Sequence, residues 1–325
     1  MNPIQPVTTR SREISVVEPV SPALERVKRA LFQPFDLGKW IAIGFCAWLA
    51  FLGEGGGFHF NVPGGGGGHG GGRDVRHGFK HAKEFVLNNL GWIVPLVAAL
   101  VVICIGLWLL FLWLNSRGKF MFLHCVALDK AEVSYPWHQF AHQGNSLCLF
   151  RLGLALIGGV LTLPLMALII VTIVRMVPRG EPDVGDILGA VGLGLVLIGL
   201  AIVFTIIHKF TTDFAVPIMF LRRNRCLQAW RELWVLISYH AGIFVLYLLF
   251  SIVLAMGIGL IVAAVMIMTC CCCCLMLLPY VGTVILLPVL MFKRCYSLYF
   301  LAQFGPEYNV FPPATLPIPA APPTV

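Results

Sequence analysis

Two histidine pairs have the spacing that a helical metal site requires. His77 and His81 lie four positions apart, as do His138 and His142. On a helix this spacing places both imidazoles on one face, where they can share a metal ion. His69 is a possible third ligand of the first pair. The intervening residues read HGFKH and HQFAH, without the glutamate of a zinc hydrolase motif. The pattern therefore predicts metal binding without hydrolysis, and histidines that contact water or lipid headgroups are the alternative.

A run of five cysteines, Cys270 to Cys274, is the second candidate metal site. Side chains of consecutive helical residues point around the whole helix, so only two or three of them can converge on one ion. Thiolates are soft ligands that suit Cu(I) or Zn, and Cys270, Cys271, Cys273 and Cys274 are the candidate ligands. Apolar surroundings disfavour the thiolate. The alternative is that these small residues fill a tight turn between two helices.

The remaining polar residues give no sign of catalysis. The glycine-rich loop 53–73 has no Lys-Ser or Lys-Thr after its glycines, so it predicts a flexible linker and not a phosphate-binding loop. The acidic residues Asp129, Glu132, Asp213 and Glu232 fall between apolar segments, and nothing in the sequence orients them together. We therefore predict a protein that is not an enzyme and that carries no cofactor.

The composition is typical of a membrane protein. Hydrophobic residues make up 58% of the 325 positions, charged residues only 12%, and the mean hydropathy is +0.87. A soluble domain carries about 25% charged residues. The net charge is +8, and the basic residues lie between apolar blocks. There they set the topology and contact anionic headgroups, so we expect no nucleic acid partner.

The apolar blocks predict an all-α, polytopic membrane bundle. About six spans are expected, with amphipathic interfacial helices before several of them, one starting near Ser21 and one or two within 115–151. Charge inside the spans is almost absent, which argues against ion-coupled transport. Arg151 comes nearest, and its long side chain can reach the headgroups. The predicted spans are 37–52, 92–114, 152–174, 187–207, 242–267 and 273–292.

Charge also predicts the orientation. Segments on the same side as the N-terminus hold 17 Lys and Arg residues, against 6 on the other side. The positive-inside rule then places both termini in the cytoplasm, in a cell inner membrane. We expect a disordered arm over 1–20, a helical membrane domain over 21–300 and a proline-rich, disordered tail over 301–325.

Small residues recur four positions apart in three of the spans. This spacing lets helix backbones approach closely. It predicts packing among spans 3, 4 and 5 within one chain, and a homo-oligomer through the same faces is the alternative. The pairs are Ala155 with Gly159, Gly185 with Gly189, Ala190 with Gly194, Ala255 with Gly259, and Gly259 with Ala263.

Two segments resemble a known group of proteins. The run LFQPFDLGKW precedes the first span, and an AW-x-x-x-x…G-x-x-x-L-Y-L-L pattern precedes span 5. Both are similar to uncharacterised prokaryotic multi-pass membrane proteins, of the membrane-domain type fused to some glycerophosphodiester phosphodiesterases. The resemblance implies a membrane domain of unknown role. This chain has no soluble phosphodiesterase domain, so that activity is not expected of it.

These observations favour a non-enzymatic membrane protein that acts as a scaffold, a regulatory partner or a lipid-organising component. Its partners would be the lipid bilayer and a cytoplasmic protein that contacts the basic linkers or the tail. One alternative is a channel or transporter for a small or lipidic substrate. The other is a metal-binding membrane protein that uses the histidines and cysteines above.

Overall fold

The computed structural model describes residues 14–53, 90–176, 184–268 and 279–311, and these ranges contain helices and no β-strand. They also contain a π-helical turn (Thr211–Ala215) and a 3₁₀ turn (Pro306–Tyr308). The α-helices, numbered in chain order, are α1 (Val20–Phe32), α2 (Leu37–Phe51), α3 (Leu90–Leu128), α4 (Ser134–Gln139), α5 (Ala141–Met176), α6 (Val184–Phe210), α7 (Val216–Arg222), α8 (Cys226–Tyr239), α9 (Ala241–Met268), α10 (Pro279–Ile285) and α11 (Leu287–Ala302).

Four of the described helices are long and apolar enough to cross a membrane. Three of them are α3, α5 and α9. The fourth is a continuous helix that consists of α6, the π turn and α7. This confirms the predicted all-α membrane bundle, but the described residues do not support the count of six spans. The predicted sixth span, 273–292, begins outside the described residues. Its described part is divided at Leu286 between α10 and α11.

Helix α2, the predicted first span, lies beside the last part of α3. The Asn115 amide donates a hydrogen bond to the carbonyl of Ala50, and Lys39 forms an ion pair with Asp129 at 3.0 Å. The helix therefore runs antiparallel to residues 115–128 of α3, away from the segment predicted to cross the bilayer. A physical reason is its length, since 15 residues rise only about 22 Å while the hydrocarbon core is about 30 Å thick.

The segments predicted as separate interfacial helices are partly continuations of the long helices. Helix α3 continues to Leu128. Residues 115–151 therefore contain the end of α3, the short helix α4 and the start of α5. The apolar patch near 215–221 likewise continues α6 through the π turn. Polar side chains in these extensions are buried against other protein segments, so the helices do not have to end at the membrane boundary. The predicted amphipathic stretch before span 5 is confirmed as α8.

The buried core lies at one end of the long helices. Its residues come from α1, α2, the second half of α3, the π turn, α7, α8 and α11, with Phe120, Phe214 and Phe300 fully buried. The other ends of the long helices are apolar and exposed, as Leu96 and Leu163 show with 70% exposure each. Lipid is the solvent that suits such surfaces.

Both ends of the described chain pack onto this core. The Ser15 amide donates to the side chain of Gln303, and the Tyr296 hydroxyl donates to the carbonyl of Val16. Val310 and Phe311 are also buried. Residues 14–19 and 303–311 therefore differ from the arm and tail predicted for 1–20 and 301–325, whose other parts (1–13 and 312–325) lie outside the described residues.

The small-residue pairs do not join spans within the chain. A Cβ built on Gly159, Gly189, Gly194 or Gly259 would meet no neighbouring heavy atom within 4 Å. The expected packing of spans 3, 4 and 5 through these positions is therefore wrong for the described helices. Because lipid can satisfy apolar surfaces, these helices need not touch there. A homo-oligomer through the same faces stays a prediction.

Candidate functional site

The predicted metal ligands fall outside the part of the chain that the structure describes. This holds for His69, His77, His81, Cys270, Cys271, Cys273 and Cys274. The second histidine pair is described, but His138 lies on α4 and His142 on α5, with a break at Phe140 between them. Among the described residues, no group of three His, Cys, Asp or Glu side chains is placed to hold a metal ion.

The π turn between α6 and α7 places polar groups inside the core end of the molecule. A π turn inserts one extra residue into a helix, and such turns occur frequently at functional sites. Here it brings Thr212 and Asp213 toward α3, α9 and α11. The Lys119 ammonium donates a hydrogen bond to the Thr212 hydroxyl at 2.7 Å. The turn is therefore a meeting point for helices that are distant in the sequence.

A cavity of about 150 Å³ opens beside this turn, and four basic residues and one carboxylate line it. The hydroxyl-bearing residues Tyr247 and Ser251 of α9 and Tyr296 of α11 add to the lining, and apolar residues of α2 and α3 close the remaining side. The other polar residues are Lys119, Lys209, Thr212, Asp213, Lys293 and Arg294.

Arg294 is a deeply buried cation of the cavity, with 7% exposure, beside Lys119 with 5%. Its Nη1 donates to the backbone carbonyl of Thr212, whereas its Nη2 is buried without a hydrogen-bond partner. Burial lowers the pKa of Arg294 to about 10, and the Asp213 carboxylate opposes this shift. The guanidinium therefore stays charged at neutral pH. A buried donor without a partner costs free energy.

Asp213 is the single carboxylate of the cavity, and two neighbours hold it in place. Lys209 Nζ lies 2.8 Å from its Oδ2, and the Tyr247 hydroxyl donates to the same oxygen at 3.0 Å. The Lys209 ammonium also lies 5.5 Å from the centre of the Tyr247 ring. One carboxylate cannot neutralise four cations, so the cavity keeps an excess of positive charge.

A second polar layer lies next to the cavity, between α3, α5 and α6. Arg151 donates to the side chain of Asn115, and its Nη2 lies 2.8 Å from Nε2 of His208. Asn115 in turn donates to the carbonyls of Ala50 and Leu52. Arg151 is 9% exposed, so it does not extend to the headgroups as the sequence predicted, because these partners satisfy it inside the protein. The layer fixes the end of α2 against the long helices.

An apolar groove of about 710 Å³ lies between α1, α9 and α11. On α9 it follows the residues from Phe250 to Ile261, and on α11 it includes Pro288 and Phe292. Lys28 of α1 is its one charged lining residue. Leu254 of α9 lines both the groove and the basic cavity, so the two spaces adjoin.

The sequence did not indicate the cavity because its cations fall just beyond the predicted span ends. There they resemble ordinary charges that set topology. The available signal was that Lys119, Lys209 and Lys293 each lie within about one turn of a predicted span end. The other acidic residues considered for chemistry do not join Asp213, since Asp129 pairs with Lys39 and Glu232 pairs with Arg222.

The fold and the cavity define a helical membrane protein with a basic, partly enclosed cavity at the core end of its long helices. Four cations against one carboxylate suit an anionic group. The chain belongs to the family of unknown function DUF7544, whose model matches residues 14–279. No curated protein and no solved structure matches the chain. The similarity to membrane domains fused to glycerophosphodiester phosphodiesterases stays a prediction.

Proposed function

We propose that this protein is a non-enzymatic, multi-pass membrane protein that binds an anionic, phosphate-like group in the basic cavity, in keeping with a lipid-organising role. The observation that carries the proposal is the lining of the cavity, in which Lys119, Lys209, Lys293 and Arg294 stand against the single carboxylate of Asp213. An oxyanion would balance this excess of positive charge.

The chemistry of the lining supports an oxyanion over an apolar ligand. Arginine presents several donors in a planar fork that matches phosphate oxygens, and lysine adds a mobile point charge. Hydrogen bonds with an ionised partner are about twice as strong as neutral ones. The cavity of about 150 Å³ also exceeds the ~30 Å³ share of one water molecule, so it has room for a small anionic group.

The charge distribution supports a cytoplasmic position for the cavity. The segments at the core end are the basic ones, which the positive-inside rule assigns to the cytoplasm of an inner membrane. Trp113 and Trp137 lie with ring centres 5.8 Å apart, and the Arg117 guanidinium lies 4.5 Å from the Trp113 ring. Such aromatic and basic clusters are typical of a membrane boundary.

The finer topology, six crossings with cytoplasmic termini, belongs to the same proposal. Because α2 rises only about 22 Å, this topology requires that residues beyond α2 complete one crossing before α3, and that a second crossing is completed between α9 and α11. Single cysteines within 54–89 and at the two termini, probed with a membrane-impermeant thiol reagent in intact cells, test this. A variant chain without the eleven natural cysteines is the background. Labelling within 54–89 but not at the termini is expected, whereas labelled termini would contradict the proposed orientation.

Binding of inorganic phosphate to the intact protein in detergent is the direct test of the function. We expect phosphate, but not an equal concentration of chloride, to bind in calorimetry, with affinity reduced about tenfold by Arg294→Gln. Because Arg294 is buried, exposed Lys293→Gln provides a second variant that leaves the core packing intact. Lys130→Gln is the matched control, since Lys130 is exposed and distant from the cavity lining. Binding that none of the cavity variants alters would contradict the proposal.

A further inference from the structure

The basic cavity and the apolar groove adjoin along two helices. On α9, Phe250 lines the groove while the next residue, Ser251, lines the cavity. On α11, Phe292 lines the groove while Lys293 lines the cavity. Leu254 lines both. A ligand that occupied both spaces would therefore need an anionic end and an apolar end that are covalently connected.

The groove has the dimensions and the chemistry of a hydrocarbon site. Its stretch of α9 from Phe250 to Ile261 rises about 16 Å. Its lining is apolar along that length, and it belongs to a helix that is long and apolar enough to cross a membrane. Val253 and Ile261 are 61% and 65% exposed, so the described parts of the chain leave the groove open at these positions. A chain of methylene groups is the occupant that a bilayer supplies at this place.

The amphipathic helix α1 completes the site on the side of the headgroups. Val27 lies in the buried face of α1, while Lys28 lines the groove. Long basic side chains bury their methylene stem along apolar surface and keep the ammonium near polar groups. Lys28 therefore adds positive charge to the groove beside a cavity that already holds four cations.

We propose that the ligand is an anionic phospholipid, whose phosphate enters the basic cavity while one acyl chain lies in the groove between α1, α9 and α11. This inference rests on the proposed anion-binding function and specifies its ligand class. A free phosphate would use the cavity alone. A zwitterionic headgroup carries its own cation, which the four basic residues repel.

Two glycines of α9 provide a matched pair of variants for the test. A Cβ on Gly257 or on Gly259 would meet no heavy atom within 4 Å, so a side chain can leave the backbone at either position without a clash at its first atom. Gly257 lines the groove, and Gly259 does not. Gly257→Phe therefore fills the proposed acyl site, while Gly259→Phe places the same ring elsewhere on the same helix.

The experiment uses the full-length protein in detergent, with native mass spectrometry for lipids and calorimetry for inorganic phosphate. The lipid probes are phosphatidylglycerol and phosphatidylcholine with identical acyl chains. We expect phosphatidylglycerol to bind at least about tenfold more tightly than phosphatidylcholine. Gly257→Phe should lower its affinity about tenfold without changing phosphate binding, and Gly259→Phe should change neither.

The possible results separate the two proposals. Phosphate binding together with lipid binding that Gly257→Phe leaves unchanged would overturn the lipid assignment and keep the anion-binding function. Equal binding of the two lipids would also overturn it, because the cavity would then have no part in selection. Failure of both phosphate and phosphatidylglycerol to bind would overturn the anion-binding function itself.

Discussion

The two halves of α3 have different surroundings, although they belong to one helix of 39 residues. In the first half, Trp92 and Leu96 are 85% and 70% exposed. In the second half, Phe120 and Leu123 are fully buried by α2, α4 and neighbouring segments. Both halves are rich in apolar residues. The comparison shows that apolar composition predicts removal from water, but it does not say whether lipid or protein covers the side chains.

Gly106 and Gly118 of α3 give the sharpest form of this comparison, and the largest expected effect. A Cβ on Gly118 would lie 2.5 Å from the backbone of Leu49, whereas one on Gly106 would meet nothing within 4 Å. Gly118→Val should destabilise the protein by about 3 kcal/mol or more, because α2 must move away. Thermal unfolding in detergent micelles measures this. Gly106→Val is the control and should stay near the wild-type midpoint; an equal loss for both variants would break the comparison.

Leucine-to-alanine substitutions in the two halves of α3 should differ in their cost to stability, by a somewhat smaller amount than the glycine variants. Leu123→Ala leaves a cavity in a fully packed region and should cost about 3 kcal/mol. Leu100 is 59% exposed, so detergent or lipid fills the space that Leu100→Ala leaves, and the cost should stay below about 1 kcal/mol. The same thermal measurement compares them. A larger loss for Leu100→Ala would mean that another protein surface covers the first half of α3.

The smallest of these effects concerns the polar layer at the junction of the two halves. Asn115→Ala removes the acceptor for Arg151 and the donor for two carbonyls at the end of α2. We expect a cost of about 2 kcal/mol, since buried polar groups lose their partners. Asn145→Ala is the matched control, because the exposed Asn145 accepts only at the surface, and it should change stability by less than about 0.5 kcal/mol. Equal midpoints for both variants would show that water enters this layer.

Much of the fold was predictable from local sequence. The apolar blocks correctly gave the four long helices, because the transfer of a side chain from water to lipid depends mainly on that side chain and its neighbours in the chain. The amphipathic helix expected near Ser21 is α1, with Val27 and Leu31 on its buried face. The position of α2 was not predictable in this way. Its packing depends on Gly118, which lies more than sixty residues away in the sequence.

The candidate site was less predictable than the fold. Lys119, Lys209 and Arg294 each have an ordinary reason to occur at the end of a span, and no local pattern connects them. The π turn at Thr211–Ala215 also has no simple sequence signature, although it presents Thr212 to two of these cations. Only the packed arrangement of α3, the π turn and α11 brings the charges to one cavity.

The sequence by itself determined that this is a helical membrane protein with basic segments on one side, because hydropathy and charge add along the chain without reference to the fold. The tertiary structure decided that α2 joins a core at one end of the long helices. It also decided that four cations meet one carboxylate beside an apolar groove. These features depend on contacts between residues that are distant in the sequence. Close packing at a glycine and shared hydrogen bonds favour one arrangement of the helices over the others that the same composition would allow.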